Sequence, residues 1–147
     1  MAFEPSKVEF ALLRKNVKSQ QLYNLAASNS SSQQKFYVSS QGADSSLITP
    51  PSFDEIINVE AIRLDQIIDT PVKLLKVEAE GFEPEVIEGL GEKLKSVEYI
   101  VADLGFERGK DKESTLETVS NFLLKNGFDC VEIKHERITA LFKRSSS

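Results

Sequence analysis

Cysteine and histidine are nearly missing from this chain of 147 residues: Cys130 and His135 each stand alone. A disulfide framework and a Cys/His metal site are therefore excluded within the chain. Cys130 lies in an apolar strand and reads as a small core residue, and His135 lies in a turn and reads as a solvated imidazole. No apolar run is long enough to span a membrane and no signal-peptide pattern opens the chain, so a cytoplasmic protein is the expectation. Basic residues do not cluster among aromatics, and acids outnumber bases by 23 to 18, which argues against a nucleic-acid partner. Also lacking is a glycine-rich loop from a strand into a helix, the device by which nucleotide-binding α/β folds approach a cofactor. What remains is a globular chain with 40% hydrophobic residues, one domain over 1–147, able to bury roughly two-thirds of its unfolded surface.

Against these absences stands one dense stretch, PVKLLKVEAEGFEPEVIEGL, from Pro71 to Leu90. Val72, Leu74, Lys76, Glu78 and Glu80 alternate with Leu75, Val77 and Ala79, so the stretch begins as a strand with one apolar face. The other face turns from apolar to charged, which predicts a strand buried at its start and open to a polar cavity at its carboxyl end. In open α/β sheets ligands sit at that end. Gly81 permits a tight turn, and Pro84 suits the first turn of a helix carrying Val86, Ile87, Leu90 and Leu94 on one side. Glu78 and Glu80 repel each other unless a cation, a ligand or water screens them, whereas Glu83 and Glu85 equally suit the dipole of the new helix.

Ahead of this corner, Met1 to Phe3 reads as the end of a strand, and Glu4 precedes a helix opened by Pro5 and Ser6 with Phe10, Leu13 and Val17 on one face. An acid there either holds ribose hydroxyls or complements the helix dipole. Leu22 to Ala27 reads as a strand, Ser28 to Gln34 as a solvated turn and Lys35 to Ser39 as a short strand. The serine-rich region 28–52 ends in a patternless run from Ser40, which fits a substrate lid or a plain loop. After the corner come a helix over 84–95 and a strand over Val97 to Ala102 that brings Asp103 to the same rim. Ser114 and Glu117 form a capping pattern before a helix stopped by Gly127. Phe128 to Lys134 and Arg137 to Lys143 make an antiparallel hairpin joined by His135 and Glu136, before a frayed tail at 144–147. This order predicts an α/β fold: a mostly parallel sheet, helices on both faces and a C-terminal antiparallel hairpin.

The run LLKVEAEGFEPEVIEGL resembles the K-x-D-x-E-G-x-E signature of FkbM-type methyltransferases, with Lys76, Glu80, Gly81, Glu83 and Gly89 in place and Glu78 where the family usually has Asp. Ala2-Phe3-Glu4-Pro5 is similar to the family's A-F-E-P, Leu64-Asp65 to its L-D, and the likeness runs from Met1 to about Lys143. It implies a Rossmann-like sheet in a shortened form whose first strand, glycine-rich loop and next helix would lie upstream of Met1, so cofactor affinity is expected to be poor. It implies S-adenosylmethionine as cofactor and methyl transfer to a hydroxyl of a sugar or small metabolite. Glu4 would hold the ribose hydroxyls, with Glu78 and Asp103 as further cofactor-side acids. Lys76, Glu78, Glu80 and Glu83 would face the reacting groups, Glu78 or Glu80 serving as base and Lys76 setting their charge. Two other classes stay open. One is a non-catalytic remnant or interaction module that dimerises through an exposed sheet edge. The other is a metal-dependent hydrolase on Glu78, Glu80 and Asp103, which lacks histidine partners and any calcium-loop spacing.

Overall fold

In the computed structural model, residues 1–18, 21–39 and 44–145 are described. Nine strands and three α-helices alternate among them. These are β1 (Ala2–Phe3), α1 (Lys7–Asn16), β2 (Leu22–Tyr23), β3 (Ala26–Ser28), β4 (Ser32–Val38), β5 (Glu55–Arg63), β6 (Val72–Val77), α2 (Glu83–Glu88), β7 (Val97–Asp103), α3 (Leu116–Lys125), β8 (Phe128–Lys134) and β9 (Thr139–Arg144).

The strands do not form one mostly parallel sheet. They divide into a pair β1-β2, a triplet β3-β5-β4 and a four-stranded sheet β6-β7-β9-β8. Parallel pairings join β1 to β2, β3 to β5 and β6 to β7, while β4–β5, β7–β9 and β8–β9 are antiparallel. The fold is thus mixed α/β. The reversal at β4 arises because Ser32–Gln34, expected as a turn, extends the strand into a full ladder against Val59–Ala61. A ladder needs only backbone donors and acceptors, so polar side chains on an exposed face are no obstacle.

The main core lies on the four-stranded sheet. Val77, Ile100, Ala102, Ala140 and Phe142 from its strands meet Val86, Ile87 and Leu90 around α2 and Val119 and Leu123 of α3. A smaller core of Ala26, Phe36, Val59 and Ala61 serves the triplet, and Leu47 packs against both. Helix α1 contributes no buried residue.

Several local expectations change. The helix expected over 84–95 ends at Gly89 and continues as a 3-10 segment, Gly91–Ser96. Gly89 sits so close to β3 that a Cβ there would lie 2.0 Å from the Ser28 carbonyl oxygen. Ser114 does not build a box with Glu117; its hydroxyl donates to the Leu104 carbonyl at 2.7 Å and accepts from the Leu116 amide at 3.2 Å. The hairpin turn takes four residues, 135–138, not two. Cys130 is exposed on the edge strand β8, beside the irregularity between Cys130 and Glu132, and is not a core residue. Leu74 is 56% exposed, because β6 is the outer strand of its sheet and its beginning is not covered. Gly127 does end α3, at φ 80. Ser40 to Ala43 in the expected lid and Ser146 to Ser147 in the tail lie outside the described residues.

Candidate functional site

A cavity of about 1130 Å³ opens where the carboxyl ends of β1 and β6 face each other. Glu4 lines it from one side and Lys76, Glu78, Ala79 and Glu80 from the other, and Phe3 lines it as well. Residues separated by more than seventy positions thereby line one cavity, which the strand-to-helix turns at both places bring about.

Glu4 is placed by its own corner. Its Oε1 accepts from the Ser6 amide at 2.8 Å, Ser6 caps α1 by accepting from the Glu9 amide at 3.3 Å, and Asn24 donates to the carbonyls of Glu4 (2.9 Å) and Pro5 (3.0 Å). The Phe3 and Tyr23 rings stack with centroids 5.1 Å apart. Burial raises the Glu4 carboxyl above its ordinary value, the Ser6 amide opposing this. Glu4 thus serves the helix start and the cavity rim together.

At the other wall the acids part company. Glu78 pairs with Lys76, and Arg137 of the β8–β9 turn stands 4.0 Å from Glu78 and 3.1 Å from Asp103. Asp103 lines a separate small crevice with Arg137 and Thr139, to which Lys76 and Glu78 also contribute. Lys76 and Glu78 therefore stand between the two hollows. Glu80 is half-buried, and burial together with the negative charges of Glu107, Asp44, Glu83 and Glu78 raises its carboxyl to about 7. Such a group takes up and releases a proton near neutral pH.

Glu83 has a different position from the other three. It is fully buried, accepting from the amides of Ala79 (2.9 Å) and Gly81 (3.1 Å) and from the Thr115 hydroxyl (3.0 Å). Burial raises its carboxyl, and these hydrogen bonds oppose the rise. It does not line the cavity; it fastens the loop that carries Glu80. On the far side of that loop, Arg108 donates to the Gly81 carbonyl at 2.6 Å and holds Glu85 through two contacts of 2.9 and 2.7 Å. Gly81, at φ 90, passes so close beneath Arg108 that a Cβ would lie 2.4 Å from the Arg108 Cα.

Sequence reasoning misses Arg108, Arg137 and Thr115 as parts of this region. Nothing local in the sequence singles out Arg108, and no spacing ties it to Glu85, twenty-three positions away. Leu64-Asp65 does stand out in the sequence, and the structure explains why it accompanies the corner. Leu64 is buried in the main core and the Asp65 amide donates to the Gly89 carbonyl at 3.0 Å. Among the described residues no group of three or more His, Cys, Asp or Glu is arranged to hold a metal ion, and no helix is long and apolar enough to cross a membrane.

Comparison with known proteins follows the same lines. The sequence model of the Methyltransferase FkbM domain matches residues 1–130. Among solved structures, Methyltransferase FkbM from Methylobacillus flagellatus KT is similar with a TM-score of 0.58 at 14% identity, covering 96% of this chain and 35% of that chain. At that identity the likeness is one of fold, and this chain spans about a third of the length of its neighbour, the covered share being 35%. No curated protein matches the sequence.

Proposed function

The chain belongs to the FkbM methyltransferase domain family, and from that membership we propose that it carries the acceptor half of an S-adenosylmethionine-dependent O-methyltransferase site. The observation that supports this most is the shared cavity, in which Glu4 and the Lys76–Glu80 rim face one space. Its acidic rim and apolar wall suit a ligand with a ribose, an aromatic base and a positive charge. Glu4 would hold the ribose hydroxyls, with Glu78 as a further acid on the cofactor side, while Asp103, paired with Arg137 in the separate crevice, stands apart from that space. The bound cofactor supplies an electrophilic methyl group.

On the acceptor side, a hydroxyl needs a base that is unprotonated near neutral pH yet able to hold a proton. Glu80 fits that need, because burial and its acidic neighbours set its carboxyl at about 7. Lys76 neutralises Glu78 and so keeps one charge at the rim compensated while Glu80 remains free to titrate. Glu83 acts behind them, by holding the amides of Ala79 and Gly81. The acceptor is a hydroxyl on a sugar or small metabolite. The mixed α/β fold, its strands divided among three sheets, is similar to that of an FkbM methyltransferase.

Transfer of labelled methyl from S-adenosylmethionine to a panel of sugar and small-alcohol acceptors tests this reading. Glu80→Gln should lower the rate by about a hundredfold. Equal rates in the two proteins would remove Glu80 from the mechanism, and no transfer to any acceptor would favour a non-catalytic module. That second reading has one observation in its favour: among the described residues β6 pairs with β7 alone, which leaves an open edge for a second chain.

A further inference from the structure

The segment before β5 is tied to the corner through the side chain of Ser46. It is 3% exposed, and its hydroxyl donates to the Glu80 carbonyl at 2.8 Å while accepting from the Ile48 amide at 3.1 Å. Its backbone bridges to Tyr37 of β4 in both directions, at 2.9 and 3.1 Å. Leu47 and Ile48, which follow, pack against the main core. Ser46 is thus a fixed point, tied to the triplet sheet on one side and to the corner on the other.

What it holds is unusual backbone. Glu80 sits at φ 50, a left-handed conformation that a residue with a side chain keeps only when its surroundings enforce it. The enforcement is visible on both sides of the Glu80–Gly81 peptide. Ser46 takes the Glu80 carbonyl, Glu83 takes the Gly81 amide, and Arg108 takes the Gly81 carbonyl. Of these three ties, only the one from Ser46 comes from outside the corner and the loop that follows β7.

We propose that Ser46 is a positioning residue for Glu80: by fixing the Glu80 carbonyl it keeps the backbone left-handed and aims the carboxyl into the cavity. This rests on the reading of Glu80 as the rim base and adds to it the residue that sets its direction. The groups that face Glu80 are Glu78 at the end of β6, Glu83 in α2, Glu107 after β7 and Asp44 on the Ser46 segment itself. Burial raises the carboxyl held here, and these acids raise it further, whereas one released toward solvent titrates in the ordinary glutamate range.

The test is the titration of the Glu80 carboxyl, followed by carbon NMR on selectively labelled protein without cofactor or acceptor. Wild type should titrate at about 7. In Ser46→Ala the midpoint should fall by about two pH units, and Ser46→Cys, close in size with a weak donor, should fall in the same direction. Ser46→Thr keeps the hydroxyl and should retain the wild-type midpoint. A merely structural serine would lower the melting temperature of the Ala and Cys variants and leave the midpoint where it was, and that result overturns the proposal. The readout needs no methyl transfer, so an inactive wild type would count against the enzyme reading and leave this one standing.

Discussion

Replacing Glu80 by Gln should change how stability depends on pH, and the size of the change follows from where the side chain sits. Burial and the charges of Glu107, Asp44, Glu83 and Glu78 raise the carboxyl to about 7. In the unfolded chain the same group titrates at about 4.3. The folded state therefore favours the protonated form. Its advantage is fully present below the unfolded value and is lost as pH rises through about 7. The whole interval corresponds to about 4 kcal/mol by linkage. Glu80 is only half-buried, and solvent screening brings the expected effect down to about 1 kcal/mol. The amide in Glu80→Gln does not ionise in this range, so that variant keeps every other contribution and loses this one. Urea denaturation of both proteins at a series of pH values between about 4 and 8 measures the difference directly. Wild type should lose about 1 kcal/mol relative to Glu80→Gln across that range. Two stabilities that run parallel throughout would refute the reasoning, since they would mean that Glu80 has the same affinity for protons folded and unfolded.

Other substitutions probe the corner from behind. Glu83→Ala leaves the amides of Ala79 and Gly81 and the Thr115 hydroxyl without their acceptor, and should cost about 3 kcal/mol or more in thermal or urea denaturation. Glu83→Gln keeps an acceptor for both amides and should stay within about 1 kcal/mol of wild type; equal losses in the two variants would mean that the hydrogen bonds are not what matters. Gly89→Ala drives a methyl to 2.0 Å from the Ser28 carbonyl, so β3 and α2 must separate, at a cost of about 2 kcal/mol. A melting temperature unchanged by that substitution would show the contact to be loose.

The corner is legible in the sequence because several independent local signals coincide there. Strand alternation, a glycine able to take φ 90 and a proline inside the first helical turn all fall between Pro71 and Leu90. Glu4 is legible for the same reason, at a strand end before a capped helix. Features set by distant contacts are not. Glu83 reads equally as a member of the reacting site and as an acid that complements a helix dipole, and nothing nearby in sequence reveals Thr115 folding over it. Ser46 is one serine among many until its hydroxyl is seen on the Glu80 carbonyl. Helix α2 stops early because Gly89 lies against β3 and Asp65 reaches the same place, a meeting of segments that periodicity does not report. The division into three sheets has the same origin: alternation marks strands, and their partners are chosen by the whole chain.

Whether the cavity is where the cofactor binds is the question on which the functional reading depends. Two-dimensional NMR of the amide-labelled chain, titrated with S-adenosylhomocysteine, addresses it without needing the acceptor. The expected result is weak binding, with the largest shifts at Glu4, Ala79 and Glu80, on both walls of the cavity. Shifts confined to a distant surface such as β8, or none at saturating ligand, would contradict it.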